Sequence, residues 1–158
     1  MPATTPAAIA RAVTGAVTAA RAQDEPAFTE AALTAAALDQ TALSLVQAGL
    51  IRQLLELLHP DGLDGDDVQA ALTQTVTETA WCPAVSPDEV ALVLIGALGL
   101  TGTDSDRQPH QLCRPAFLVI ATLLAGVPDQ FEAGPDLLTE LVAAQLREIE
   151  RAETMEQP

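Results

Sequence analysis

Helix-start chemistry recurs five times along this chain: at Thr5-Pro6, Glu25-Pro26, Asp64-Gly65-Asp66-Asp67, Ser86-Pro87-Asp88-Glu89 and Gly134-Pro135-Asp136. Proline suits the first helical position because the N–H it lacks would be unpaired there, and its fixed φ already matches a helix. A serine or aspartate just ahead of the helix accepts a hydrogen bond from an orphan N–H of the first turn. Ser86 and Glu89 have capping-box spacing, in which each side chain reaches the other residue's backbone N–H. The acids at 64, 66 and 67 stand where the positive end of a helix dipole favours them.

Behind each start the apolar residues repeat at helical spacing. Ile9, Val13 and Val17 lie four apart. Phe28, Ala31, Ala32 and Ala35 follow Pro26. Leu43, Leu45, Val46, Leu50, Leu54, Leu55, Leu57 and Leu58 form a broad stripe. Leu137, Leu138, Leu141, Val142, Leu146 and Ile149 form another, with Glu140, Gln145, Arg147, Glu148 and Arg151 on the wet side. The runs from Val90 to Leu98 and from Ala116 to Ala125 are apolar on nearly all sides, which marks them as the two central helices. The pattern predicts an all-α protein, a single compact bundle of about six to seven helices spanning 1–158. The helices are expected at 5–22, 26–38, 40–58, 64–79, 86–99, 107–126 and 135–153, with 154–158 as a frayed tail. Pro115 should split or kink the sixth, leaving a main helix over 114–126. Aromatic residues are only 3% of the chain: Phe28, Trp81, Phe117 and Phe131. The core must therefore be built from Leu, Val, Ile and Ala, a mixture suited to close helix packing rather than to a sheet.

Charge excludes some functions. The chain carries 22 acids against seven arginines and no lysine, a formal net charge of −15. A phosphate backbone or an anionic membrane requires a basic face, so neither nucleic acid nor membrane is an expected partner. Arginine in place of lysine is the codon signature of a GC-rich bacterium. Residues 1–22 hold Arg11 and Arg21 and no acid, so every acid lies beyond them. The start of the chain has no basic segment followed by an apolar one, and the run from Val90 to Leu98 is too short to span a bilayer. These features predict a cytoplasmic protein.

The candidate chemistry is sparse. His59, Cys82, His110 and Cys113 are all the histidines and cysteines present, and two of each can close a tetrahedral zinc site. Only His110 and Cys113 have a spacing that one helical turn could present, and no CxxC or HxxxH pair occurs. Asp61, Asp64 and Asp66 complete the candidate metal ligands. An EF-hand register fails on them: counted from Asp61 the third residue is Leu63, and counted from Asp64 the sixth is Gln69. Helix capping accounts for these acids instead. This stretch also resembles the acidic interhelical loops of TerB-like tellurite-resistance helical domains, a likeness of common turn chemistry that identifies no family. There is no GxSxG, no phosphate-binding glycine loop and no HExxH, so no catalytic residue is assigned and no cofactor is expected. Trp81, Phe117, Phe28 and Phe131 are the candidates for lining a pocket or anchoring an interface.

These observations favour a non-catalytic helical interaction or assembly module, acting as a homo-oligomer or on another protein. The alternatives are a small apolar-ligand sensor with a pocket between helices lined in part by Phe117 and Trp81, and a metal-dependent enzyme using the acidic and His/Cys side chains. The narrow Ile9-Val13-Val17 stripe is a weak core face, and an isolated helix of that length is marginal in water. The helix over 1–22 is therefore expected to join a second copy of the chain in a two-fold dimer.

Overall fold

The structure is a computed structural model that describes residues 5–82, 85–99, 112–127 and 134–156. Seven helices occupy the described residues: α1 (Pro6–Arg21), α2 (Glu25–Ala36), α3 (Gln40–Leu58), α4 (Gly65–Glu78), α5 (Pro87–Ala97), α6 (Cys113–Ala125) and α7 (Gly134–Glu156). The expected start signals are in use. Thr5 Oγ1 accepts from the Ala8 N–H, and Asp24 Oδ1 accepts from Ala27. Ser86 and Glu89 close the expected capping box. Asp64 and Asp67 close a second one at α4, each carboxylate accepting from the other residue's N–H. α3 is capped by Asp39, which accepts from both Thr41 and Ala42.

α6 is the hub. Every residue from Pro115 to Leu124 is buried, and the helix packs against α1, α2, α3, α4 and α5. The main helix expected over 114–126 is present as Cys113–Ala125, and 107–111 of the leading turn expected before it lie outside the described residues. The described helix begins at Cys113, so the proline sits in the first turn, where its missing N–H has no intrahelical partner to lose. α7 runs to Glu156 rather than ending at Glu153.

The second run that is apolar on nearly all sides, α5, is not central. Val90, Val93, Leu94 and Ala97 are buried, but Ile95 and Gly96 are exposed and Leu92 is half-buried. α3 takes the inner position instead and contacts α5, α6 and α7. Its inner face includes Leu43, Val46, Leu50, Ile51, Leu54 and Leu55. An apolar sequence states what a helix can bury, while neighbouring elements decide which side they cover. Among the described residues α3 alone is long and apolar enough to cross a membrane by length and composition. The inner face that would meet lipid is here spent on the bundle core.

The fate of α1 removes the premise for a dimer built on it. Ile9, Val13, Ala16, Val17 and Ala20 are buried against α2, α6 and α7 of the same chain. The stripe is narrow in large residues, but the alanines between them let neighbouring helices approach closely, and the whole face becomes core. One cluster of buried residues runs from Ile9 to Val142.

Candidate functional site

The aromatic candidates divide by role. Phe117 and Phe28 are fully buried core residues. Trp81 follows α4, is half-buried, and meets the Phe28 ring edge-on at 5.6 Å between centroids. That is a favourable aromatic geometry, and it ties the α4–α5 connection to α2. Trp81 also lines a cleft of about 190 Å³ between α1, α4 and α6. Phe131 lies outside the described residues.

The candidate metal ligands do not gather. Among the described residues no group of three or more His, Cys, Asp or Glu side chains could hold an ion. His59 is the C-cap residue of α3, and its Nδ1 lies 3.6 Å from Asp67 Oδ1, an ion pair when the ring is protonated. Asp64 is committed to the α4 cap, while Asp61 and Asp66 are exposed. Cys82 and Cys113 are buried thiols in no disulfide. His110 lies outside the described residues.

Cys113 has a neighbour that sequence reasoning missed. Gln47, on the inner part of α3, donates from Nε2 to the Cys113 carbonyl at 3.2 Å and approaches its Sγ at 3.9 Å. Burial pushes the Cys113 thiol up from 9.0 to about 11, partly offset by the contact with Gln47 and the charge of Arg114. The residue is therefore a neutral buried thiol and not a nucleophile, which would need the thiolate.

The raised value has a consequence for stability. The folded state binds the thiol proton more tightly than the unfolded state does. Its contribution is thus fully present below the ordinary thiol range and is lost as pH rises from about 9 through about 11. The chain has neither lysine nor tyrosine to titrate in that window. Denaturant unfolding at stepped pH should show stability falling by about 2–3 kcal/mol across it. Cys113→Val should flatten the fall, and an unchanged slope in that variant would assign the effect elsewhere.

An apolar opening lies between α3, α5 and the start of α6. Leu45, Ala48 and Ile51 form one wall, Leu92, Val93 and Ala97 the other, and Leu112 and Ala116 close one side; the space is about 270 Å³. Leu45 is 52% exposed, and Ile95, also on α5, is 37% exposed. Gln47 lines this groove too. Its Nε2 is committed to Cys113, but its Oε1 accepts no hydrogen bond from any described residue. No sealed side-chain oxygen lacks a partner, so Oε1 opens onto the groove. The groove thus offers an apolar surface with a hydrogen-bond acceptor in it.

No protein-family model matches the chain, and comparisons with curated proteins and with solved structures find no match.

Proposed function

We propose that the chain is a non-catalytic helical assembly module that pairs with a second copy of itself across the α3–α5 groove. The observation that carries this reading is an uncharged apolar face on a strongly acidic chain. No charged residue occurs from Gln40 to Ile51 on α3 or from Val90 to Gly99 around α5, although the chain holds 22 acids. An exposed leucine, Leu45, lining an apolar groove favours contact with protein. Like charges oppose self-association, so two copies of net charge −15 meet at least cost where acids are absent. The bacterial, cytoplasmic setting expected from composition belongs to the same proposal.

The test is oligomeric state against salt. Light scattering at tens of micromolar should find a dimer that tightens as sodium chloride rises, because salt screens the repulsion between copies. Leu45→Glu replaces an exposed residue and should give a monomer with an unchanged circular dichroism spectrum. A wild-type chain that stays monomeric at about 0.5 M salt, where the Debye length is only about 4 Å, overturns the reading. So does a Leu45→Glu variant that still dimerises.

The open Gln47 acceptor favours a second reading, in which the groove takes a small apolar molecule carrying one hydrogen-bond donor. Native mass spectrometry of the purified chain decides it. A bound small molecule displaced by Ala48→Leu would support this reading, and bare chain mass would count against it.

A further inference from the structure

The cleft beside Trp81 is distinct from the α3–α5 groove and is built differently. Its deep wall is α6, where Thr122 is only 5% exposed. The other buried helical threonine among the described residues, Thr75, turns its hydroxyl back on the chain and donates to the Ala71 carbonyl four residues earlier. Thr122 makes no hydrogen bond to any described residue. Because no sealed side-chain oxygen lacks a partner, its hydroxyl opens onto the cleft. A hydroxyl open on the cleft wall is a hydrogen-bonding group that a bound molecule can engage in place of water.

The mouth carries opposite charges that do not neutralise each other. Arg21 ends α1 and has no carboxylate within ion-pair distance among the described residues. Glu78 ends α4, and its carboxylate meets the Gln74 amide one turn back. The C-terminal ends of both helices converge here, and their partial negative charge favours an ammonium group. Between the charged mouth and Thr122 the walls are Trp81 and Leu118, together with small α6 residues.

We infer that this cleft binds a small zwitterion of free amino-acid size. Its carboxylate pairs with Arg21, its ammonium group sits by Glu78 and the helix ends, and its short apolar part lies against Trp81 and the small α6 residues. Thr122 supplies a hydrogen bond at the inner end. The volume of about 190 Å³ suits a molecule of that size and no larger cofactor.

Trp81 is the chain's one tryptophan and lines the cleft, so it reports occupancy directly. L-Valine serves as the probe, with isovalerate and isobutylamine as the analogues that lack its ammonium group and its carboxylate. Titration should change Trp81 emission saturably with L-valine, and each analogue should bind about tenfold more weakly or worse. Thr122→Val keeps shape and apolar packing while removing the hydroxyl. It should weaken L-valine binding about three- to tenfold with folding intact. Arg21→Gln should weaken it by about tenfold or more. Leu45→Glu, in the other groove, should leave the titration unchanged, which separates this site from the assembly proposal. No saturable response to L-valine, equal binding of isovalerate, or wild-type affinity in Thr122→Val would each overturn the assignment.

Discussion

Val119→Asp should leave the chain unfolded at room temperature. Val119 is fully buried at the middle of α6, the helix that touches five others. No described ion pair involves a residue of α6, so a carboxylate there gains no counter-charge from it. An unpaired buried acid costs several kcal/mol even after protonation, and a domain of this size is stable by only about 5–15 kcal/mol. Leu94→Asp tests the same idea on α5. Leu94 is nearly as buried, but its helix has an open side toward which the chain can yield. The Leu94 variant should be severely destabilised yet retain more helix than the Val119 variant. Circular dichroism with thermal melts reads both. A Val119→Asp protein with a near-wild-type melting temperature would mean that α6 is not the centre of the fold.

Phe28→Ala should cost about 3–5 kcal/mol, the usual penalty for truncating a fully buried aromatic ring. The loss has two parts. A cavity opens beneath α2, and the edge-on contact that holds Trp81 disappears. Trp81→Ala should cost less, since Trp81 is half-buried and its removal leaves space open to water. Chemical denaturation checks the order. Equal or reversed costs would show that the tryptophan, and not the phenylalanine, is the anchor of this corner.

Local chemistry was highly legible in the sequence, and long-range placement was not. Thr5, Asp64 and Ser86 were readable as helix starts because a cap acts on N–H groups two or three residues away. Pro115 was legible in the same way: a proline acts on its own turn, and the helix expected over 114–126 opens at Cys113. The swap of α3 for α5 as the inner helix is the opposite case. Both are apolar enough to be buried, and the choice depends on contacts between residues far apart in sequence. Gln145 shows this at a single residue. It looked like part of the wet side of α7, yet it donates to Gln53 Oε1 at 3.0 Å across the contact with α3. It fits there because Gly49 leaves room: a Cβ at that position would collide with the Gln145 side chain. In the two candidate binding surfaces, only Trp81 stood out as a candidate in the sequence. Each depends on a polar atom left open in the fold, Gln47 Oε1 in one case and the Thr122 hydroxyl in the other.

The central place of α6 also sets an order on how the molecule can be made. The chain emerges from its N-terminus, and α1 is complete about a hundred residues before the helix that covers much of its apolar face. Until Cys113–Ala125 is synthesised, α1 has mainly α2 to pack on, and the inner face of α3 awaits its main partner. Closure of the bundle is therefore a late, long-range event, and the half-made chain must keep a valine- and leucine-lined surface from sticking to its neighbours. Its acids suit that task. Most of them enter between Asp24 and Asp106, so negative charge accumulates on the growing chain while its apolar faces remain uncovered. The same self-repulsion that keeps the finished chain soluble would act on the unfinished one as well.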